Sequence, residues 1–392
     1  MKGSVRMVRL REFEPYYFCD NVEKSISPPF DSISKSLESE LKSFPFNITH
    51  LTLPEKESQG TMLIDKWIDS GVLKKKEEAG MILINQQSWI NGRIRERFGV
   101  ISLVDIYPED GLLQPHEKTF PGKVSDRVKV LKDTNAQLEP IFLVVNNKQF
   151  DRKLILLSSK LQPWLEFTDT DSVKYKIFKI PLNDSHTISE ILKTDVAIVA
   201  DGHHRLAATM QMAQSSNKND EVFWSSIMAY TTNIDSDSLL INGIHRALKC
   251  RIDNEKLNNL RSVCNSVKAD SEGPKDENVL ILSQEDNMII DQEKIKKRGI
   301  SAISAIHLIQ NVVLKEILGL SDEELDAMIY YTHDIKECKR MIDSGESSIV
   351  FVMPPWNKEK LFNLIVKNGF LPQKSTYFFP KVCSGIVMNI NR

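Results

Sequence analysis

Between Asp195 and Ala200 the chain reads Asp-Val-Ala-Ile-Val-Ala, then continues without a break into Asp201-Gly202-His203-His204-Arg205. An apolar run of this kind predicts a strand central in its sheet. The residues after it, with Leu206, Ala207, Met210 and Ala213 assigned to one face, predict a helix. Strand, Asp-Gly, helix is the arrangement in which α/β folds meet ligands, at the carboxyl end of a strand. The first helical N–H groups have no intrahelical partner, and the helix dipole puts partial positive charge there. Gly202 permits positive φ or close backbone approach. Arg205 brings a permanent bidentate donor, and His203 and His204 bring switchable ones. That set suits phosphate oxygens, with Arg205 and His204 expected at the rim or wall of a cleft. Asp201 would repel a phosphate unless its charge is occupied. Either it caps the helix, or it holds a Mg²⁺ that bridges to the phosphate.

The remaining sequence supports an α/β (mixed α+β) fold. At 392 residues the chain exceeds one usual domain. Three sections are expected: 1–85, 86–235 and 236–392. In the first, Val8–Tyr17 is a candidate strand, Ser27-Pro28-Pro29-Phe30-Asp31 a rigid turn, and 34–43 and 61–73 are helices. In the second, strands at 80–86 and 97–106 are joined by a turn at Asn91-Gly92. The segment 114–119 is a loop without periodicity. A helix at 125–135 precedes the bulky run Ile141-Phe142-Leu143-Val144-Val145, and strands follow at 175–180 and 226–230. In the third, 269–278 is a polar loop, and 304–318 and 322–328 are helices. The end is patterned β-α-β over 347–353, 357–368 and 378–390, with Lys374-Ser375-Thr376 in the loop before the last strand.

Composition narrows the function classes. Lys plus Arg is 51 against 53 Asp plus Glu, a formal charge of −2, and no helix-turn-helix pattern stands out, so nucleic-acid binding is not expected. The five cysteines form no Cys-x-x-Cys pair, which predicts free thiols rather than a disulfide framework or a zinc site. No apolar run approaches the ~20 residues of a membrane span, and no signal-peptide pattern opens the chain, so a cytoplasmic protein without a membrane partner is expected.

The turn and several other blocks together resemble domain-of-unknown-function family 1015. Those blocks are 27–33 (Ser-Pro-Pro-Phe-Asp-Ser-Ile), 114–123 (Gln-Pro-His-Glu-Lys-Thr-Phe-Pro-Gly-Lys), Asp126-Arg127, Glu139-Pro140-Ile141-Phe142, Asp201–Arg205, His245-Arg246, 374–381 and Ser384-Gly385. A more distant resemblance joins Pro115–Arg205 to the core of free serine kinases of the ParB/sulfiredoxin-like superfamily. They share the order Pro-His-Glu, helix, Pro-Ile strand, Asp-Gly-His-His-Arg. That resemblance implies a ParB/sulfiredoxin-like core with N-terminal and C-terminal α/β additions.

It also implies chemistry. Glu117 would act as base on a serine-like hydroxyl, with Asp201 and His204 completing the catalytic set. Gly202, His203, His204 and Arg205 would hold the phosphates of ADP or ATP, with Mg²⁺ on Asp201. Lys374, Ser375 and Thr376 are further candidate phosphate contacts, and His116 has a lesser role. A hydroxyl is a weak nucleophile that needs a placed proton acceptor, and phosphoryl transfer otherwise needs alignment and charge neutralisation. Glu117 must then face a turn 84 residues further along the chain. The alternative is a non-catalytic, nucleotide-binding regulator of ParB type. A sulfiredoxin-like reaction would need a cysteine beside the turn, and none lies between Cys19 and Cys250.

Overall fold

The computed structural model describes residues 8–56, 58–106, 112–193, 195–215, 220–249, 252–267, 274, 278–299 and 302–392. The polar loop expected at 269–278 lies almost wholly outside them. The chain divides into two compact units. One comprises 1–239, 362–369 and 380–392, and the other 240–361 and 370–379.

The first unit is built on a nine-stranded mixed sheet. Its order runs Leu113–Pro115, Ala197–Asp201, Ile141–Val145, Ser226–Asn233, Arg93–Asp105, Met81–Ile90, Lys174–Ile180, Leu165–Thr168, with Leu10–Arg11 also paired to Arg93–Asp105. Asn91 and Gly92 both take positive φ, 51° and 76°, and join the two longest strands in a two-residue hairpin. Such a turn matches the right-handed twist of the strands it connects. Asn147 caps the helix Lys148–Lys160 by accepting from the Gln149 and Phe150 N–H groups. Phe150, Leu154 and Leu157 of that helix are buried in one core with Ile141, Leu143, Val145 and Val199.

The Ala197–Asp201 strand is not central. It stands next to the edge, antiparallel to Ile141–Val145 and parallel to the short edge strand Leu113–Pro115. All-apolar composition fits burial on both faces and does not report how many strands lie further out. The helix after it, His203–Ser215, turns a different face inward from the expected one. His203, Arg205, Leu206, Ala208, Thr209 and Met212 are buried, while Ala207, Met210 and Ala213 are only partly so. The cause is the neighbouring helix Pro121–Thr134, whose Val128 packs with Ala208, Met212 and Trp224. The N-terminal strand also differs from expectation, dividing into Leu10–Arg11 and Tyr16–Phe18, which join different sheets.

The second unit holds a six-stranded sheet in the order Cys264–Val267, Asn287–Ile290, Leu280–Ser283, Ile349–Val352, His245–Leu248, Ile329–Thr332, antiparallel throughout. Alternation along its strands sends Leu248, Ile281 and Phe351 to one face, against Ile309, Val313 and Leu314. Ala247, Leu280 and Val350 go to the other, against Cys338, Met341 and Ile342. The β-α-β expected at the C-terminus is not one motif. Thr376–Phe379 pairs with Leu240–Gly243, and Asn389–Ile390 pairs with Ala136–Gln137. Cys19, Cys264, Cys338 and Cys383 are free thiols, and Cys250 lies outside the described residues. Among the described residues no helix is long and apolar enough to cross a membrane.

Candidate functional site

Two helices begin side by side in the first unit. The Phe120 N–H, at the start of Pro121–Thr134, donates to Nε2 of His204 in the first turn of His203–Ser215 (3.2 Å). The His204 ring also stacks on Phe120 at 6.1 Å, 12° between planes. Four residues earlier the His116 N–H donates to Nε2 of His203 (3.3 Å), and those two rings meet edge to face at 4.8 Å. The 116–120 loop is thereby fastened to the 201–205 turn at two points. Pro115 is in register with Val199 in the parallel pair, so the chain reaches Glu117, half-buried, as the neighbouring strand reaches Asp201.

Gly202 is required where it stands. Its φ is +88°, and a Cβ would lie 2.8 Å from Ile141 Cγ2 and 3.1 Å from the Arg205 guanidinium. Asp201 does not offer a free carboxylate. Oδ1 accepts from Lys381 Nζ at 2.5 Å, and Oδ2 accepts from Arg205 Nη2 at 2.7 Å. All three side chains are largely buried, at 14%, 13% and 10% exposure. Burial alone would raise the Asp201 pKa. Lys381 and Arg205 outweigh it and hold the carboxyl at about 2.

The cationic surroundings of Asp201 do not fit a divalent metal, since both oxygens already face a positive group. Among the described residues no group of three or more His, Cys, Asp or Glu is placed to hold one.

Arg205 is not at a rim. It is 9% exposed, and besides Asp201 its Nη1 donates to the Pro140 carbonyl at 2.5 Å. It serves as a brace between the turn and the Ile141–Val145 strand. Both buried histidines are neutral. Burial pushes His116 down to about 4, against a hydrogen bond to the Val199 backbone, and pushes His203 well below the usual range with help from His116. Accepting at Nε2 puts the His203 proton on Nδ1.

Lys381 is the residue that sequence reasoning missed. It was visible only as the last member of the 374–381 block. Its backbone is fixed from the sheet, because the Lys381 carbonyl accepts from Gln86 Nε2 (2.9 Å) and from the Tyr175 hydroxyl (3.1 Å). The preceding Pro380 carbonyl accepts from the fully buried Arg97 (2.6 Å).

Lys374, Ser375 and Thr376 belong to the second unit. Lys374 has φ +55°, and its carbonyl accepts from Arg246 at 3.2 Å. The Ser375 hydroxyl donates to the Pro372 carbonyl, and Thr376 pairs with Gly243.

These features define a mixed α/β protein with a polar turn braced between two helix starts. The chain belongs to the DUF1015 family, proteins of unknown function, whose model matches residues 12–312. No curated protein matches it. Among solved structures it is similar to a free serine kinase in complex with AMP, at 14% identity and TM-score 0.35, over 74% of this chain and 92% of that one. It is also similar to SbnI with C-terminal truncation from Staphylococcus aureus (8%, TM-score 0.40, 72% and 85%). A third is a conserved hypothetical protein from Pyrococcus furiosus (15%, TM-score 0.34, 74% and 95%). At these values the functional reading rests on the chain's own residues.

Proposed function

We propose that the chain is a nucleotide-dependent kinase that phosphorylates a small hydroxyl compound such as free L-serine, with ADP or ATP as donor. The observation that carries this reading is the double fastening of the 116–120 loop to the 201–205 turn, through His116–His203 and Phe120–His204. It sets two helix N-termini side by side, a field suited to phosphate oxygens, and brings the Glu117 loop to the same place.

The roles follow from the contacts. Gly202 gives the phosphates close access to the backbone, and the N–H groups opening the helix at His203 and His204 receive them. Asp201 holds the Lys381 ammonium beside the turn, and Arg205 holds Asp201. Arg205 therefore positions, where the sequence had suggested a direct phosphate contact. The substrate oxygen attacks the terminal phosphorus, and its proton passes to the Glu117 carboxylate. The bond from phosphorus to the bridging oxygen breaks, and the nucleotide leaves with that electron pair. Lys374, Ser375 and Thr376, in the other unit, are left out of this scheme.

Thermal unfolding with ADP, ATP and CTP, with and without Mg²⁺, tests the binding half. A nucleotide at 100 times its Kd stabilises the fold by about 2.7 kcal/mol. No stabilisation by any of them would remove the reading. Binding without turnover on any small hydroxyl compound would leave a non-catalytic nucleotide-binding regulator.

A further inference from the structure

Beside Arg205 the first unit contains a cavity of about 30 Å³. Thr52, Arg127, Leu138, Glu139, Arg205 and Thr209 contribute to its wall. Three polar atoms on this wall are buried and have no hydrogen-bond partner: Thr52 Oγ1, Arg127 Nε and Arg205 Nε. Thr52 is 1% exposed and Arg205 9%. Orphaned buried polar atoms are uncommon and costly, and three around one small space call for a guest that accepts hydrogen bonds.

The two guanidinium groups also define the charge of that guest. The other ends of both are anchored to the protein. Arg127 Nη1 donates to the Thr52 carbonyl (2.8 Å), and its guanidinium lies over the Phe30 ring at 3.9 Å. Arg205 is held by Pro140 and Asp201. Both are tied down at their Nη ends while Nε stays unpaired. Burial and the nearby charge of Arg205 both work against the Arg127 cation, while Glu139 supports it. One oxygen of Glu139 is already engaged, since Oε1 accepts from the Phe30 N–H (3.1 Å) and the Ser384 hydroxyl (2.6 Å). Two fixed donors of like charge and a hydroxyl, around a space of about two waters, match one planar oxyanion.

We propose that this cavity is a carboxylate pocket, and that it takes the carboxylate of the small hydroxyl compound, so that the substrate class is a hydroxy acid or hydroxy amino acid. The substrate assignment rests on the kinase reading above, and the pocket itself does not. Arg205 then links the two sites in one side chain, with Nη2 on Asp201 and Nε on the substrate.

Titration calorimetry on the full chain tests the pocket without turnover. The probes are L-serine and D-glycerate, against L-serinamide and glycerol, which lack the carboxylate. Binding of at least one of the acids, weakened about tenfold to a hundredfold in its carboxylate-free counterpart, is expected. Thr52→Val removes the orphaned hydroxyl at nearly constant shape. It should leave thermal stability unchanged or raised and weaken acid binding about tenfold or more. Arg127→Lys should weaken it further. If neither acid binds up to 10 mM (about the upper limit of a usable assay), or if acid and amide bind alike, the pocket holds water only and the proposal fails. If the acids bind and no nucleotide does, the kinase reading falls and the pocket stands. If serine and serinamide are phosphorylated with the same KM, the kinase reading stands and the pocket falls.

Discussion

Lys381 Nζ lies 2.5 Å from Asp201 Oδ1, although 180 residues of sequence separate them. Both side chains of this link between the turn and the C-terminal segment are nearly out of solvent. Breaking a buried pair by removing one partner leaves the other charge uncompensated. Lys381→Met is expected to destabilise the protein by about 3 kcal/mol, at the low end for such pairs because Arg205 still covers Oδ2. Urea unfolding measures it. The same variant should weaken nucleotide binding about tenfold, through loss of one charged contact.

Asp201 also gives an acid limb. Its folded pKa of about 2 lies below the ordinary value near 3.9. The stabilisation this supplies is complete above about pH 4 and is lost as pH falls through about 2. Asp201→Asn should remove that portion of the acid transition in a pH series of urea midpoints, at lower stability throughout.

The buried histidines act at higher pH. The folded pKa of His116, about 4, is below the unfolded value near 6.5, so between those values the unfolded chain takes up a proton that the folded one refuses. Stability is therefore full above about pH 6.5 and falls by about 3 kcal/mol on going to pH 4. His203 adds to the fall in the same direction. His116→Gln should flatten the profile between pH 6.5 and 4 and leave the limb below pH 4 in place. An unchanged slope would mean that His116 is protonated in the folded state.

Much of the framework was legible because its causes are local. Asn91-Gly92 reads as a tight hairpin, and Ile141–Val145 is apolar at every position. The site was legible in part for the same reason. Asp-Gly after an apolar strand announces a turn, but not what the turn faces. Leu113–Pro115 covers the sheet edge with three residues and no periodic pattern, so Ala197–Asp201 was expected to be central. Arg97 is fully buried within a strand whose sequence, Arg-Ile-Arg-Glu-Arg-Phe, looks solvated, and the Pro380 carbonyl, the Gln86 side chain and the Phe142 and Tyr230 rings, all distant in sequence or on other strands, receive it. The Lys381 contact spans 180 residues and leaves no mark on periodicity.

Gly202→Ala tests the backbone of the turn. At φ +88°, with Ile141 Cγ2 2.8 Å from the new methyl, alanine meets both strain and overlap. A loss of about 2–4 kcal/mol is expected from the two together, read by urea unfolding. A neutral effect would show that the turn takes another conformation.

The central claim is that the turn and the Glu117 loop form one phosphoryl-transfer site. Its most direct test is ³¹P NMR of the full chain with L-serine, Mg²⁺ and ADP or ATP, run beside Glu117→Gln with nucleotide affinity titrated for both. The account predicts a growing phosphoserine resonance for the natural chain. In the variant it predicts a rate lower by about 10²–10⁴-fold at unchanged nucleotide affinity, since glutamine keeps the shape and loses the proton acceptor. Turnover at the natural rate in Glu117→Gln, or a natural chain that binds no nucleotide, would contradict it.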